Sequence, residues 1–187
     1  MKNPGDDFHV RPATKADIPV LHTLIEASVR GLEAGDYTPR QIEGALGTVL
    51  GLDTQLIRDR TYFVVEAEDL GGLKTIVACG GWSKRKTLFG GDHADAREPE
   101  LLDPRSDAAK IRAFFVHPQW ARRGLGSLLL KTCESAAKAA GFARFEMGST
   151  LTGVPLYRLH GYQVIAPIEV RLANGEVLPV IRMAKSA

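Results

Sequence analysis

Cysteine is scarce in this chain: only Cys79 and Cys133 occur among its 187 residues. Two cysteines cannot form a disulfide framework or a four-cysteine zinc site. Such sparing use of cysteine is typical of proteins of the reducing cytoplasm. We therefore expect no disulfide framework, no metal and a cytoplasmic location.

Long apolar runs are also missing. A membrane-spanning helix needs about 18 uninterrupted apolar residues, and no such run occurs. Residues 1–7 contain none of the apolar stretch that a signal peptide requires. The sequence thus predicts a soluble protein without a membrane partner, and residues 1–7 are expected to form a flexible N-terminus.

Charge of one sign does not dominate: Lys and Arg number 24, Asp and Glu number 22, and the formal net charge is +2. This balance disfavours a broad basic surface that binds the phosphates of nucleic acid, so no nucleic-acid partner is expected. Hydrophobic residues make up 44% and charged residues 25% of the chain, as in ordinary globular proteins. We expect one domain and place it at residues 8–185.

Helical and strand patterns follow one another along the chain. Thr14 and Thr38 both suit an N-cap, and apolar residues recur at helical spacing after each of them. Residues 62–66 and 75–82 are rich in β-branched and aromatic side chains and predict a hairpin. The polar stretch 83–107 is longer than an idle loop, which predicts either a functional flap or a mobile insertion.

The most informative segment follows a predicted strand at 111–116 and opens a predicted helix. Gly124 and Gly126 permit a tight turn there, so free backbone N–H groups and the positive end of the helix dipole point to one place. Such a place suits a phosphate, to which Arg122 and Arg123 can add charge-assisted hydrogen bonds. The same pattern also occurs as a simple tight turn, and neither the Walker nor the Rossmann signature is complete.

Three segments, taken together, are more specific than the glycine turn alone. They are Phe114-Phe115-Val116-His117-Pro118, the turn Arg122–Ser127, and Leu156–Tyr162. Their order and spacing resemble the GNAT superfamily of acyl-CoA-dependent N-acetyltransferases from about residue 11 to 183. One position departs from the family pattern, because the turn usually begins with Gln or Arg where this chain has Ala121.

The resemblance implies an α/β fold of the α+β kind, with a mixed, mostly antiparallel twisted sheet, splayed central strands and helices on both faces. Acetyl-CoA is the implied co-substrate, and its pantetheine arm would lie between the fourth and fifth strands, where a backbone N–H of Phe115 or Val116 would stabilise the oxyanion. The implied acetyl-CoA-binding residues are Phe114, Phe115, Val116, Arg122, Arg123, Gly124, Leu125, Gly126 and Ser127.

In the family, an amine attacks the thioester directly in a ternary complex, and a tyrosine protonates the departing thiolate. Tyr157 holds that place in this chain, although a packed aromatic with no catalytic role is the alternative. The general base cannot be identified from the sequence. Glu66, Glu146 and His117 have suitable chemistry, but each also has an ordinary structural interpretation.

Four residues are candidates for binding the acceptor substrate, each with a structural alternative. They are Ser28, Tyr37, Trp82 and Arg112. A cation among apolar neighbours is costly to bury unless it is paired, so for Arg112 we favour an ion pair with a carboxylate such as Asp107 or Glu146. If Arg112 instead faces the acceptor, the substrate would carry a carboxylate.

The sequence thus predicts an N-acetyltransferase that acts on a small-molecule primary amine, because the segment 83–107 suggests a partly covered site. Three alternatives stay open: a non-catalytic acyl-CoA sensor, a protein lysine or N-terminal acetyltransferase, and a nucleotide-phosphate-binding enzyme. A homodimer is also left open, since members of the family commonly dimerise.

Overall fold

A seven-stranded sheet forms the centre of the computed structural model, which describes residues 8–68, 72–95 and 97–186. The strand order is β1-β2-β3-β4-β5-β7-β6, and every neighbouring pair is antiparallel except β4 and β5. The strands are β1 Phe8–Pro12, β2 Tyr62–Glu68, β3 Lys74–Ser83, β4 Ala109–Val116, β5 Arg144–Ser149, β6 Gln163–Arg171 and β7 Val177–Ser186. This architecture confirms the predicted mixed, mostly antiparallel sheet. Residues 1–7, predicted to be flexible, lie outside the described residues.

Helices cover both faces of the sheet, as predicted. They are α1 Ile18–Leu32, α2 Pro39–Ala45, α3 Thr54–Arg58, α4 Leu125–Ala139 and α5 Val154–Leu159. Apolar residues of α1, α2 and α3 pack with Phe115 in one core cluster, whereas those of α4 and α5 pack with Ile111 and Phe145 on the opposite face. Strand side chains alternate between the two faces, so one sheet serves both cores.

The predicted N-caps are present. Thr38 begins α2 with a reciprocal capping box, in which its hydroxyl accepts the Gln41 N–H and its own N–H donates to Gln41 Oε1 at 2.9 Å. Thr14 forms a similar box with Asp17, but it caps a 3₁₀ turn, Lys15–Asp17, that precedes α1. Arg11 donates two hydrogen bonds of 2.9 Å to Asp17 and thereby lowers the pKa of that carboxyl to about 2.

The predicted hairpin and the predicted strand 111–116 are also confirmed. The predicted hairpin is the antiparallel pair β2 and β3, although Gly71 of its turn lies outside the described residues. The predicted strand 111–116 lies within β4, and α4 ends just before Gly141, whose φ of 95° is the left-handed conformation that glycine adopts freely. Cys79 and Cys133 are both buried and free.

The segment 83–107 folds back on itself as an irregular hairpin. Lys86 N–H donates to Glu100 O at 3.0 Å, and Thr87 N–H donates to Glu98 O at 3.1 Å. Phe89, near its tip, lies on β5, where a Cβ added to Gly148 would come within 2.6 Å of the Phe89 ring. The described part of this segment is therefore an ordered cover over the sheet.

Arg112 anchors this cover through a buried ion network. Its side chain is only 1% exposed and pairs with Asp53 at 2.9 Å, while its other donors bond the carbonyls of Thr87, at 3.0 Å, and Gly90. Asp53 also accepts from Arg97, which belongs to the same segment, at 2.7 Å. The prediction of a buried ion pair is confirmed.

The predicted partners of that pair were wrong. Asp107 bonds the Asp103 N–H, and Glu146 pairs with Lys110 and Arg182 rather than with Arg112. The reason is geometric: β4 and β5 are paired at Lys110 and Glu146 but no longer paired at Arg112. Arg112 consequently finds its carboxylate on the segment that leads into α3.

Within the three described ranges, no helix is both long and apolar enough to cross a bilayer. No group of three or more His, Cys, Asp or Glu residues in these ranges could hold a metal ion.

We expect Asp53→Asn to lower the free energy of unfolding by about 3–5 kcal/mol, because it leaves the buried Arg112 without a counter-charge. Urea denaturation measures this loss. Asp103→Asn is the matched control: its partner Arg105 is 91% exposed, so the expected loss is under about 1 kcal/mol. Equal losses in the two variants would contradict the role of the network.

Candidate active site

The central strands separate close to their start. β4 and β5 pair only at Ala109 with Phe145 and at Lys110 with Glu146. From Ile111 to Val116, the edge of β4 that faces β5 has no strand partner among residues 8–68, 72–95 and 97–186. A wedge opens there, and its exposed backbone can continue the ladder onto a ligand that carries amide groups.

A β-bulge lies at the mouth of this wedge. Ala113 and Phe114 together oppose Gly80, because the register shifts between the pairs Cys79–Phe115 and Gly81–Arg112. Ala113 has a φ of 55°, a left-handed conformation that costs a non-glycine residue about 1–2 kcal/mol. The Tyr62 hydroxyl donates to Ala113 O at 2.9 Å and stabilises the bulge. Bulges are over-represented next to active sites, where they redirect the strand.

The two N–H groups predicted to bind an oxyanion already have neighbours inside the protein. Val116 N–H donates to Ser28 Oγ at 3.1 Å. Phe115 N–H lies within hydrogen-bond reach of the Cys79 sulfur. Their use as oxyanion donors therefore stays a prediction, and Ser28 is engaged with the β4 backbone rather than free to bind a substrate.

The glycine turn has the predicted geometry. Gly124, with a φ of 82°, is the N-cap of α4, and Arg122 adopts a φ of 64° just before it. No side chain of the described residues caps the helix, so the N–H groups of its first turn, residues 125–127, stay available. A Cβ on Gly126 would lie 2.8 Å from Leu156 Cδ2, which shows how closely α5 approaches this turn.

Side chains around the turn differ in how they are held. The guanidinium of Arg123 stacks over the Trp120 ring at 4.5 Å, and Arg122 is exposed. The Ser127 hydroxyl is hydrogen-bonded to His160 at 2.8 Å, which links α4 to α5. The turn therefore combines free backbone donors with two cationic side chains, a combination suited to a diphosphate.

Tyr157 is buried on α5, next to the wedge. Its ring packs edge-to-face against Phe114 at 6.2 Å and Tyr162 at 5.9 Å. No hydrogen bond joins its hydroxyl to another of the described residues. Burial raises the pKa of Tyr157, and the nearby Cys133 and Glu33 raise it further, so the phenol keeps its proton near neutral pH.

Glu33, at the end of α1, was not identified from the sequence. Thr150 Oγ1 donates to Glu33 Oε1 at 3.3 Å, while the buried Oε2 has no hydrogen-bond partner in the part of the chain that the structure describes. Burial raises the pKa of this carboxyl, and the neighbouring Asp36 adds to the increase. One sequence signal points to it, because an acidic residue at the C-terminal end of a predicted helix opposes the helix dipole.

The remaining predicted substrate residues have structural partners. The Tyr37 hydroxyl donates to Pro179 O at 2.8 Å and accepts the Leu151 N–H at 2.9 Å. Trp82 packs against Phe142 in the core on the α4 side, far from the α1 face. The structure thus brings Tyr37 and Ser28 to the α1 side of the wedge but not Trp82, and substrate binding by any of the four stays a prediction.

The three candidates for a general base are each engaged elsewhere. Glu66 pairs with Arg11 at 2.8 Å, and Glu146 holds the two cations described above. The His117 ring accepts the Gln119 N–H, which caps a short 3₁₀ turn. Partnered groups of this kind are poor proton acceptors for a substrate.

Part of the chain matches a known protein family. Residues 102–186 match the family model of the acetyltransferase (GNAT) domain, and this range includes all of β4, the turn, α4 and α5. A search of curated protein sequences finds no match.

Solved structures resemble the whole chain. A GCN5-related N-acetyltransferase from Rhodopseudomonas palustris shares 21% identity with a TM-score of 0.68, covering 100% of this chain and 98% of that one. PaiA N-acetyltransferase from Thermoplasma acidophilum, solved with coenzyme A, shares 12% identity at a TM-score of 0.62, covering 97% and 99%. YncA from Salmonella typhimurium, solved with acetyl-CoA, shares 19% identity at a TM-score of 0.59, covering 96% and 94%.

All four tyrosines of the chain should titrate abnormally. Burial raises the pKa of Tyr37 to about 12 and raises those of Tyr62, Tyr157 and Tyr162 as well. At about pH 10.5, the ultraviolet absorbance of tyrosinate should be almost absent in the folded protein and should correspond to about three of the four residues in concentrated guanidinium.

Folding stability should fall accordingly as the pH rises through about 10, because the unfolded chain releases these protons first. Circular dichroism at each pH serves as the control that the chain is still folded. If the tyrosinate absorbance of the folded chain rose with the midpoint of a free tyrosine, near pH 10, it would contradict the burial of these phenols.

Proposed function

Because residues 102–186 match the acetyltransferase (GNAT) domain and solved GNAT acetyltransferases share the fold of the whole chain, we propose that the protein transfers an acetyl group from acetyl-CoA to the primary amine of a small molecule. The observation that carries this proposal is the alignment of three features along one groove. The glycine turn lies at one end, the open edge of β4 follows, and Tyr157 packs against the bulge. A carrier with a diphosphate, two amides and a thioester fits this order.

The residues of the turn suit the diphosphate. The free N–H groups of residues 125–127 and the positive end of α4 offer hydrogen bonds to phosphate oxygens, and Gly124 and Gly126 keep side chains away from them. Arg122 is exposed and available for a charge-assisted contact. Gln or Arg at position 121, usual in the family, is not required if the backbone supplies most of the contacts.

Tyr157 suits the role of general acid. Acetyl-CoA supplies an activated thioester, whose carbon–sulfur bond breaks when the amine nitrogen attacks. A phenol that keeps its proton at neutral pH can donate it to the departing thiolate and regain one from solvent. Packing between Phe114 and Tyr162 orients the ring toward the bulge.

The cover formed by residues 83–107 favours a small acceptor. Phe89 lies on Gly148 of β5, and the Arg112–Asp53–Arg97 network ties the cover to the sheet. On the same face, the Tyr37 hydroxyl bridges Leu151 and Pro179. An extended peptide needs an open groove, and these contacts narrow the groove on the α1 face of the sheet.

Coenzyme A should protect the protein from heat through the glycine turn. A ligand that binds only the folded chain at a hundredfold excess over its Kd stabilises it by about 2.7 kcal/mol, so coenzyme A and acetyl-CoA should raise the Tm, whereas ATP and NAD should not.

Gly126→Asp should weaken coenzyme A binding about tenfold or more, because a carboxylate at the helix N-terminus repels phosphate. Gly126→Ala, which adds a Cβ without charge, is the control. Equal affinities of the Asp and Ala variants would rule out the turn as the diphosphate site.

Thiol release from acetyl-CoA with a panel of small amines tests the reaction itself. Tyr157→Phe should keep acetyl-CoA affinity within about twofold and lower kcat by about 100-fold, since the thiolate loses its acid. Tyr162→Phe is the matched control, because its hydroxyl bonds Glu134 rather than facing the wedge, and it should keep its turnover. Unchanged turnover in Tyr157→Phe would remove this residue from the mechanism.

A further inference from the structure

Glu33 stands where local electrostatics disfavour a carboxylate. It is the C-cap of α1, where the partial negative charge of the helix end destabilises an acidic side chain. Asp36 adds a second negative charge nearby. The one basic residue in the last turn, Arg30, pairs instead with the exposed Glu26 and Glu43. Nothing in the helix itself therefore accounts for an acid at this position.

The carboxylate is also incompletely satisfied. The Thr150 hydroxyl donates to Oε1 at 3.3 Å, and the neighbouring Thr152 hydroxyl donates to Asp36 at 2.6 Å. The buried Oε2 of Glu33 has no partner among the described residues. Among the described residues, no basic side chain forms an ion pair with it. Buried carboxylates in folded proteins are normally paired, because an uncompensated charge is costly away from water. Such a group is suited to a cation that arrives with a ligand.

Glu33 lies beside the transfer site rather than in a remote pocket. Its partner Thr150 follows β5 directly, and a Cβ on Gly153 would lie 3.4 Å from Thr150 Oγ1 and 3.0 Å from the Tyr157 ring. The chain segment 150–153 thus lies between Glu33 and Tyr157. Because α1 and α4 cover opposite faces of the sheet, Glu33 reaches the wedge from the side opposite the glycine turn.

We propose that Glu33 binds the ammonium group of the acceptor and accepts its proton, an inference that rests on the proposed acetyl transfer. This role makes Glu33 the general base that could not be identified from the sequence. It also restricts the acceptor class to amines that arrive as cations, since a neutral or anionic acceptor leaves Oε2 buried without a partner. The hydroxyl of Thr150 orients the carboxylate.

Every proton and electron pair of the proposed transfer is accounted for. The ammonium gives one proton to Glu33, and the resulting neutral nitrogen attacks the thioester carbon. The carbon–nitrogen bond forms, the carbon–sulfur bond breaks with its electron pair on sulfur, and Tyr157 protonates that sulfur. The nitrogen loses its second proton to solvent as the amide forms, solvent reprotonates Tyr157, and Glu33 releases its proton to water. The net result is one amide, one thiol and one proton.

Glu33→Gln tests the assignment because the amide has the same shape and can still accept from Thr150. With wild-type turnover established on an amine, the variant should keep acetyl-CoA affinity within about twofold and lose about 100-fold or more in kcat/KM for the amine near pH 7. Glu26→Gln, an exposed acid on the same helix, should match the wild type. A Glu33→Gln variant with kcat/KM within about twofold of wild type would overturn the proposal.

The pH profile separates a base from a merely structural acid. With Glu33 as base, wild-type kcat/KM should be flat from about pH 7 to 9, since the ammonium is the bound form. In Glu33→Gln it should rise about tenfold per pH unit, because only the free amine reacts. The other titratable groups that face Glu33 are Asp36, Tyr37 and Tyr157, and Asp36→Asn should keep the flat profile. Parallel profiles for wild type and Glu33→Gln would contradict the role.

Thermal stability gives a readout independent of turnover. Burial raises the pKa of Glu33, so its ionised form destabilises the fold, and stability falls as the pH rises above the pKa of the unfolded chain. Glu33→Gln should therefore raise the Tm at pH 7, by about 2 °C or more, whereas loss of a structural ion pair would lower it.

A wild-type protein that binds acetyl-CoA but acetylates no amine would overturn the proposed function together with this role. An active Glu33→Gln would overturn this role alone.

Discussion

The divergence of β4 and β5 after Lys110 determines much of the remaining structure. Lys110 and Glu146 form the last paired positions, and beyond them β4 presents an open edge to the wedge. Arg112, two residues further, can no longer reach Glu146 and is instead buried against Asp53. That ion pair holds the 83–107 cover over the sheet. One break in strand pairing thus both opens the groove and requires the network that covers its α1 face.

Unfavourable local features concentrate around this groove. Three non-glycine residues have positive φ among the described residues, and two of them, Ala113 and Arg122, lie at the bulge and in the glycine turn. The buried, unpartnered oxygen of Glu33 lies beside the same wedge. Strained backbone and unsatisfied polar groups persist only where the surrounding structure compensates for them, and they cluster at sites that act on a ligand. Their shared location supports the assignment of the site more strongly than any one of them.

Local signals made part of this structure predictable. The capping box of Thr38 and Gln41, the alternation in β2 and β3, and the glycine turn before α4 all depend on residues close together in sequence. The short α3 and α5 have too few turns for a clear helical period, and nothing in the residues of β6 and β7 alone indicated how they pair. The wedge was expected only through the family resemblance.

Interactions between distant residues were harder to foresee. The partner of Arg112 lies 59 positions away, and Glu33 meets Thr150 across 117 positions. Composition and periodicity indicate that a buried cation needs an anion, but they do not say which one, because the choice depends on how strands diverge and helices pack. The same limit explains why Glu33 went unrecognised as a candidate base, while two glutamates and one histidine with structural partners were considered.

The two helix ends beside the groove have opposite charge, although the net charge of the whole chain is only +2. On one face, the positive N-terminal end of α4 lies beside Arg122 and Arg123. On the other, the negative C-terminal end of α1 carries Glu33 and lies beside Asp36. An anionic thioester carrier and a cationic amine would each be attracted to its own face and repelled from the other. The bulge of β4 lies between the two helix ends, and there the backbone is uncharged and the phenol of Tyr157 keeps its proton. The two oppositely charged reactants can therefore meet at the bulge, because neither is drawn into the binding site of the other.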